Sequence, residues 1–324
     1  MKAAVFREYG EPEVVRIEEL PKPAPRTTEV LVKVHATTVA SGDARIRAMN
    51  VPRGYHFFAR LMFGYFKPRL RVLGTSAVGE IEAVGSDVTR FKPGERVFAC
   101  SARSGAHAEY MVLRKNDVIA PIPDGVDYST AAVLPFGGTT ALHFLDRAKL
   151  RAGESLIVNG ASGAVGTAVL QIAKQRGAEI TAVCSAANAD LVRSLGATHV
   201  IDYSREDFTK NGHHYDVIMD NVGNLQMDAC LGSLHDTGRL LLIVAGIPTT
   251  LAALLKSRQR GKRIITGVAA DKAEFLQQLA ERVQRGTYRP VIERTYPLAQ
   301  IVEAHRLVDS GRKIGNVVIQ VTPM

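Results

Sequence analysis

Apolar and polar positions alternate along the first third of the chain, and beyond it apolar runs are separated by stretches of helical periodicity. KAAVF (2–6), VVRIEEL (14–20) and EVLVKVHA (29–36) read as strands, the last two parted by the Pro-rich break PKPAP. TTVASGDARIRAMN (37–50) reads as a turn into a short helix. Residues 74–99, with glycines at strand bends and a Lys-Pro-Gly turn, and the short strands of 105–126 predict a compact β-barrel. From Asp127 the texture changes to βα alternation. Residues 128–148 are helical with a Pro-Phe-Gly-Gly interruption. ESLIVNG (154–160), EITAVCS (179–185), HVIDY (199–203), YDVIMDNVG (215–223), RLLLIVAG (239–246) and RIITGVAA (263–270) follow as apolar strands. Six such strands separated by helices predict a doubly wound parallel sheet. After a helix over 271–286, the tail reads strand, helix, strand. NVVIQV (316–321) has no place left in the parallel sheet and is expected to pair back into the first domain. The predicted boundaries are 1–124 completed by 287–324 for the β-rich domain, and 125–286 for the parallel-sheet domain.

The stretch from Glu154 to Ser185 carries the clearest chemistry. A strand, the small-residue turn ASGAVG (161–166), a helix and a second strand form a βαβ unit. Unpaired N–H groups at the start of its helix, and the positive end of the helix dipole, suit a pyrophosphate. Ala161, Gly163 and Gly166 occupy the three positions of the dinucleotide fingerprint, with alanine in place of the first glycine. The acidic residue expected at the end of the second strand, where it would bond the ribose 2′-hydroxyl of NAD, is absent; Cys184 and Ser185 stand there. A neutral hydroxyl donates to a 2′-phosphate that a carboxylate would repel, so NADP(H) is the expected cofactor. Arg193 is the nearest following cation, and Tyr203 offers a further hydroxyl.

Composition adds limits. The chain has 324 residues, enough for two domains, and no Trp. It starts directly into a strand, without the features of a cleavable leader, and no apolar run approaches the roughly 18 residues of a spanning helix, so a cytoplasmic protein with no integral membrane segment is expected. Cys100, Cys184 and Cys230 are too far apart for disulfide or metal spacing. The net charge of +9 is uneven. Seven basic residues and no acidic one lie between Ala44 and Gly79, and a second cluster holds Lys256, Arg258, Arg260, Lys262 and Arg263. No nucleic-acid motif accompanies them, so nucleic acid is not expected as a partner. The aromatic, arginine-rich stretch 51–72 reads either as a substrate-covering loop or as a membrane-surface helix, with a packed insertion or a dimer contact as plainer explanations.

The glycine series Gly74, Gly79, Gly85 and Gly94 with its Lys-Pro-Gly-Glu-Arg-Val turn, then GAHAEY, GGTTAL, NGASGAVG, DNVG and GRKIGNVV, resembles the medium-chain dehydrogenase/reductase superfamily over nearly the whole chain. Within it the chain is similar to the zinc-free quinone oxidoreductase branch, including the reductases related to reticulon-4-interacting protein. The resemblance implies an α/β protein: a GroES-like β-rich catalytic domain plus a doubly wound Rossmann domain with a six-stranded parallel sheet. A catalytic zinc in such a fold would need Cys or His near 40 and a His-Glu pair after Gly74, where this chain has Ala40, Ser41 and Thr75-Ser76; no metal is expected. His35 and His107 are the remaining candidate ligands, neither with a thiolate companion.

The resemblance assigns roles. Ser162, Gly163, Ala164 and Val165 would meet the pyrophosphate, and Ser185 and Tyr203 the adenosine ribose phosphate. Asn221, Val222, Ala245 and Gly246 would border the nicotinamide, Thr139 the base of the cleft, and Gly315 and Asn316 would close on the cofactor from the tail. On the substrate side the branch usually reads Asn-Pro-x-Asp-x-x-x-Arg; here Asp43 and Arg47 are kept, Ala40 replaces the Asn, and Ser41 is its substitute. Asp43 and Arg47 are either catalytic or a structural ion pair, and Tyr55 is a candidate proton donor. The expected activity is NADPH-dependent hydride transfer to a quinone or an α,β-unsaturated carbonyl in an interdomain cleft. The alternatives are a zinc-independent alcohol or aldehyde oxidoreductase, and a low-turnover NADPH-binding sensor or membrane-surface protein. By analogy the chain is a homodimer, through an edge strand around 239–246 and its neighbours.

Overall fold

The structure, a computed structural model, describes residues 1–259 and 261–322, the side chains of 257–259 excepted. Arg260 lies outside the described residues, as does the side chain of Arg258, so the second basic cluster is described only in part. The elements run β1 (Lys2–Phe6), β2 (Val15–Glu19), β3 (Val30–Thr38), α1 (Ser41–Ala48), α2 (His56–Phe63), β4 (Ser76–Val84), β5 (Arg96–Cys100), β6 (Tyr110–Leu113), β7 (Val118–Pro121) and α3 (Tyr128–Ala132). Then come α4 (Thr139–Ala148), β8 (Ser155–Asn159), α5 (Ala164–Gln175), β9 (Glu179–Cys184), α6 (Ala189–Ser194), β10 (His199–Asp202), β11 (Tyr215–Asp220), α7 (Met227–Gly232), β12 (Leu234–Leu242), α8 (Ile247–Gln259) and β13 (Arg263–Thr266). The tail forms α9 (Ala273–Gln284), β14 (Ile292–Pro297), α10 (Ile301–Asp309) and β15 (Asn316–Gln320). Among the described residues no helix is long and apolar enough to cross a membrane.

The chain divides into two compact units. The first comprises Met1–Val51, His56–Phe136 and Asp271–Met324; the second comprises Pro52–Tyr55 and Gly137–Ala270. In the first, a mixed sheet runs β14-β15-β3-β4-β5-β7, with β6 also paired to β3. The tail strand β15 lies antiparallel to β3, with Val318 opposite Thr38, as the sequence pattern led one to expect. Alternation along these strands turns Val32, Val34, Ile81, Val97 and Ala99 into one core with Ile301 and Ala304 of α10 and Val317 and Ile319 of β15. Gly79 has no room for a side chain, since a Cβ there would sit 1.9 Å from the Lys33 carbonyl oxygen on the neighbouring strand.

The second unit holds six parallel strands in the order β10-β9-β8-β11-β12-β13, the doubly wound order in which a crossover helix links successive strands. Its central strands are apolar on both faces because helices cover both sides: Leu156, Ile157 and Val158 are fully buried. One expectation fails. The 239–246 stretch is not an edge, because β12 is hydrogen-bonded to β11 on one side and β13 on the other; the edges of this sheet are β13 and β10. The apolar run Leu240, Leu241 and Leu242 is what burial between two neighbours requires.

Candidate active site

In the second unit the turn after β8 is built for close approach. Gly160 has φ +74°, and a Cβ there would come within 2.7 Å of the Val222 side chain. The Ala161 N–H donates to the Val183 carbonyl at 3.1 Å, stitching the turn to β9. Gly166 is pressed onto the turn: a Cβ on it would lie 2.3 Å from the Gly160 carbonyl oxygen and 2.6 Å from that of Ala161. A Cβ on Gly137 would likewise sit 2.6 Å from the Ala164 carbonyl oxygen, which brings the approach to α4, and Thr139 at its first position, against the start of α5. No side chain caps α5. The first-turn N–H groups of Ala164, Val165 and Gly166 therefore have no acceptor within their own helix, and Ser162 and Gly163 are half-buried beside them. This is the arrangement a pyrophosphate fits: donors without acceptors, and no Cβ to hold the anion away.

At the ends of β9 and β10, Cys184 lies in register with Asp202, and the Tyr203 N–H donates to the Cys184 carbonyl at 3.3 Å. Ser185 and Tyr203 thus leave adjacent strands at one level. The Tyr203 ring is exposed, and the Ser185 hydroxyl makes no capping bond to the turn that follows. Asp202 is held below the usual carboxylate range by hydrogen bonds from the backbone and hydroxyl of Ser204. Arg193 pairs with Asp190 at 3.1 Å within α6.

The loop after β11 has an organiser that the sequence pattern did not reveal. Asp220 is buried, and its Oδ1 accepts from the Asn159 side-chain amide at 2.9 Å and from the Val222 and Gly223 N–H groups at 3.0 Å each. The Asn159 amide also donates to Asn224 Oδ1 at 2.8 Å, and Asn221 donates its side-chain amide to the Asn159 carbonyl at 3.1 Å. Asn221 Oδ1 is buried without a protein partner, an acceptor left for a ligand. The only sequence signals were polar residues ending the otherwise apolar strands β8 and β11. At the end of β12, a Cβ on Gly246 would lie 2.4 Å from the Arg53 carbonyl oxygen, which also accepts the Ile247 N–H at 3.1 Å. The Pro52–Tyr55 segment thereby rests on the 246–248 turn, beside half-buried Ala245, and Tyr55 is exposed on it.

In the first unit Ser41 opens α1 and is half-buried. Asp43, which is buried, accepts from the Ala40 N–H at 2.8 Å and from the Gly74 N–H at 3.0 Å. Arg47 is fully buried; its guanidinium donates to the Gly10 carbonyl at 2.6 Å and pairs with Asp309 of α10. The structural ion pair expected between Asp43 and Arg47 does not form, because the carboxylate is taken by two amides and the guanidinium by partners distant in sequence. His107 contacts the Thr38 carbonyl at 3.0 Å, and its ring meets that of His305 edge-on at 6.0 Å. His35 instead stacks on Tyr128 at 4.4 Å, 3.6 Å from Glu80, and burial lowers its pKa. The two histidines considered as metal ligands therefore have separate surroundings, and among the described residues no three His, Cys, Asp or Glu side chains come together to hold a metal ion.

Near the tail, Gly315 has φ +55°, and Asn316 donates both its backbone N–H and its side-chain amide to the Val291 carbonyl, at 2.9 and 3.0 Å. Lys313, not singled out from sequence, donates to the Gly315 carbonyl at 2.7 Å, and burial pushes its ammonium down to about 8.

Fold and site together define a two-unit oxidoreductase class with a dinucleotide turn in one unit and a β-rich scaffold in the other. Residues 26–124 match the family described as Alcohol dehydrogenase GroES-like domain, and residues 195–319 that described as Zinc-binding dehydrogenase. The chain is 32% identical to Quinone oxidoreductase of Rattus norvegicus over 336 residues, covering 98% of this chain and 97% of the relative. It is 31% identical to NAD(P)H oxidoreductase RTN4IP1, mitochondrial, of Mus musculus over 359 residues, covering 99% and 89%. The solved quinone oxidoreductase of Coxiella burnetii superposes with a TM-score of 0.88 at 27% identity over 99% of each chain. The chain belongs to the medium-chain dehydrogenase/reductase superfamily, in its quinone oxidoreductase branch.

Proposed function

We propose that this chain is an NADPH-dependent reductase that passes hydride to a quinone or an α,β-unsaturated carbonyl without a zinc ion. The observation that carries the reading is the uncapped start of α5, with Gly166 pressed onto the Gly160–Ala161 turn so that three amides stand free for a pyrophosphate. Relatives named Quinone oxidoreductase and NAD(P)H oxidoreductase support a pyridine nucleotide and this acceptor class. Ser162, Gly163, Ala164 and Val165 hold the pyrophosphate; Ser185 and Tyr203 take the 2′-phosphate, which finds hydroxyls in place of a repelling carboxylate. Asn221, with its unpartnered Oδ1, and Val222, Ala245 and Gly246 receive the nicotinamide half, with Thr139 at the start of α4 as a further contact. When bound, the reduced nicotinamide supplies the hydride.

The protein's share is orientation and exclusion of water. Asp43 and Arg47 act as positioning residues that fix α1 and so present Ser41 to the acceptor. Tyr55 offers the hydroxyl for protonation. The zinc-free reading rests on the donor set: Ala40, Ser41, Thr75 and Ser76 carry neither thiolate nor imidazole. A panel of quinones and enones mixed with NADPH, followed by loss of absorbance of the reduced cofactor, tests the proposal. Turnover that survives chelators is expected. No turnover with any acceptor, despite cofactor binding, would overturn the reductase reading. The homodimer expected by analogy is tested by sedimentation equilibrium.

A further inference from the structure

The helix α2 is amphipathic the wrong way round for a water-soluble surface. A surface helix normally turns its apolar stripe inward. Here Phe57, Phe58, Leu61 and Met62 face out, with exposures of 66, 55, 59 and 68%, while Ala59 is the residue that packs inward. The turn that follows adds Tyr65 and Phe66, the latter 89% exposed. Of the fourteen exposed large hydrophobics among the described residues, six lie between Phe57 and Phe66, so this is one concentrated patch and not the usual scatter.

The helix is anchored, so its outward face is held in place. Tyr9 Oη donates to the Gly64 carbonyl at 2.8 Å, and the Arg69 guanidinium donates to the Leu61 carbonyl at 3.2 Å. The Arg60 guanidinium donates to the Tyr65 carbonyl and lies 5.8 Å from the centre of the Tyr9 ring.

Charge selects the occupant. Between Ala44 and Gly79 there is no acidic residue, and Lys67, Arg69 and Arg71 are exposed just after the aromatic turn. Among the described residues none of Arg60, Lys67, Arg69 and Arg71 makes an ion pair; Glu18, which pairs with Arg7, is the carboxylate whose field reaches Arg71. A second copy of this chain seated on the patch about a two-fold axis would set the same cations against one another with no carboxylate between them. An anionic lipid surface satisfies both halves: headgroups take the guanidinium and ammonium groups, and the acyl boundary takes the aromatic and aliphatic side chains.

We infer that α2 and the turn after it form a docking surface for anionic lipid bilayers, which brings the protein to a membrane surface without spanning it. The absence of Trp from the chain makes a clean reporter available, because Phe66→Trp introduces a single indole. Vesicles of mixed phosphatidylserine and phosphatidylcholine should shift the emission of this variant to shorter wavelength, and vesicles of phosphatidylcholine alone should not. The unmodified protein should co-sediment with the anionic vesicles, less so as salt is raised. Phe57→Ser/Phe58→Ser/Met62→Ser should weaken partitioning about tenfold or more, and Lys67→Glu/Arg71→Glu should abolish the anionic preference. The melting temperature and its rise with NADPH should stay unchanged in both. Should the triple variant fail to fold, Phe66→Ser, at the most exposed ring, carries the same test. The inference is overturned by any of three results. One is neither sedimentation nor spectral shift with anionic vesicles at low salt. A second is halving of the mass in the serine variants, which would assign the patch to a second copy. The third is equal capture by soluble polyglutamate, which would assign it to an acidic protein partner.

Discussion

In the function proposed above, Gly166 and Ser185 decide, at the scale of single residues, what the dinucleotide turn can hold. Since a Cβ at 166 would meet the Gly160 carbonyl oxygen at 2.3 Å, Gly166→Val must push α5 away from β8. Overpacking of this kind costs about 1–3 kcal/mol. A lowered melting temperature together with loss of the NADPH-induced thermal shift is the expected result. Ser185→Asp places a carboxylate where the 2′-phosphate would lie, and the ratio of kcat/KM for NADPH over NADH should fall at least about tenfold, or about 1.4 kcal/mol. The fingerprint residues were legible from sequence because each acts through its own small size, at fixed spacing. The Asn159, Asp220 and Asn224 network was not, because it joins the ends of two parallel strands that lie far apart in the chain. Asp43 and Arg47 misled for the same reason. Their spacing suits an i, i+4 pair, but Asp43 is claimed by the Ala40 and Gly74 amides and Arg47 by Gly10 and Asp309.

Among the elements, α1 is held against α10 by the contact of buried Arg47 with Asp309 at the surface. Arg47→Ala removes a fully buried side chain and leaves the half-buried Gly10 carbonyl without its donor, a loss of about 1–3 kcal/mol, while the exposed Asp309 carboxylate returns to water. Urea unfolding should show this loss. If Arg47 acted on the substrate alone, kcat would fall with the unfolding midpoint unmoved. The strands and most helices were readable from periodicity, whereas 51–72 read equally as a loop or a helix, and the helix α2 occupies part of it. Which way its apolar face points was not readable, since an outward and an inward stripe have the same sequence period.

For the whole molecule, acid stability has an identifiable contributor. His305 is fully buried beside His107 and Arg47, with neither ring nitrogen hydrogen-bonded, and burial, then those neighbours, hold its pKa well below the ordinary value. The unfolded chain takes up a proton near pH 6.5 that the folded state refuses. The folded state's advantage is therefore intact above about pH 6.5 and shrinks as pH falls below it. His305→Leu removes that slope. Because no hydrogen bond is lost, its melting temperature should equal or exceed that of the parent at pH 7, and exceed it by more at pH 5. A parallel fall of both proteins between those pH values would refute the assignment. That there are two units, and that the orphan strand at the end of the chain returns to the first, was legible. Their limits were not, since the first unit runs on past Asp127 to Phe136 and takes in α9, where the pattern had given 125–286 to the parallel-sheet unit; Gln284 at the end of α9 donates to the Asp124 carbonyl.

That orphan strand reverses the usual order of assembly on the ribosome. The second unit is drawn almost wholly from Gly137–Ala270, so it is complete in the nascent chain while the first still lacks Asp271–Met324. Until β15 emerges, β3 offers an open edge where Thr38 awaits Val318. The amino-terminal half of this protein is thus translated first and finished last, and it is during that interval that a chaperone has most to protect.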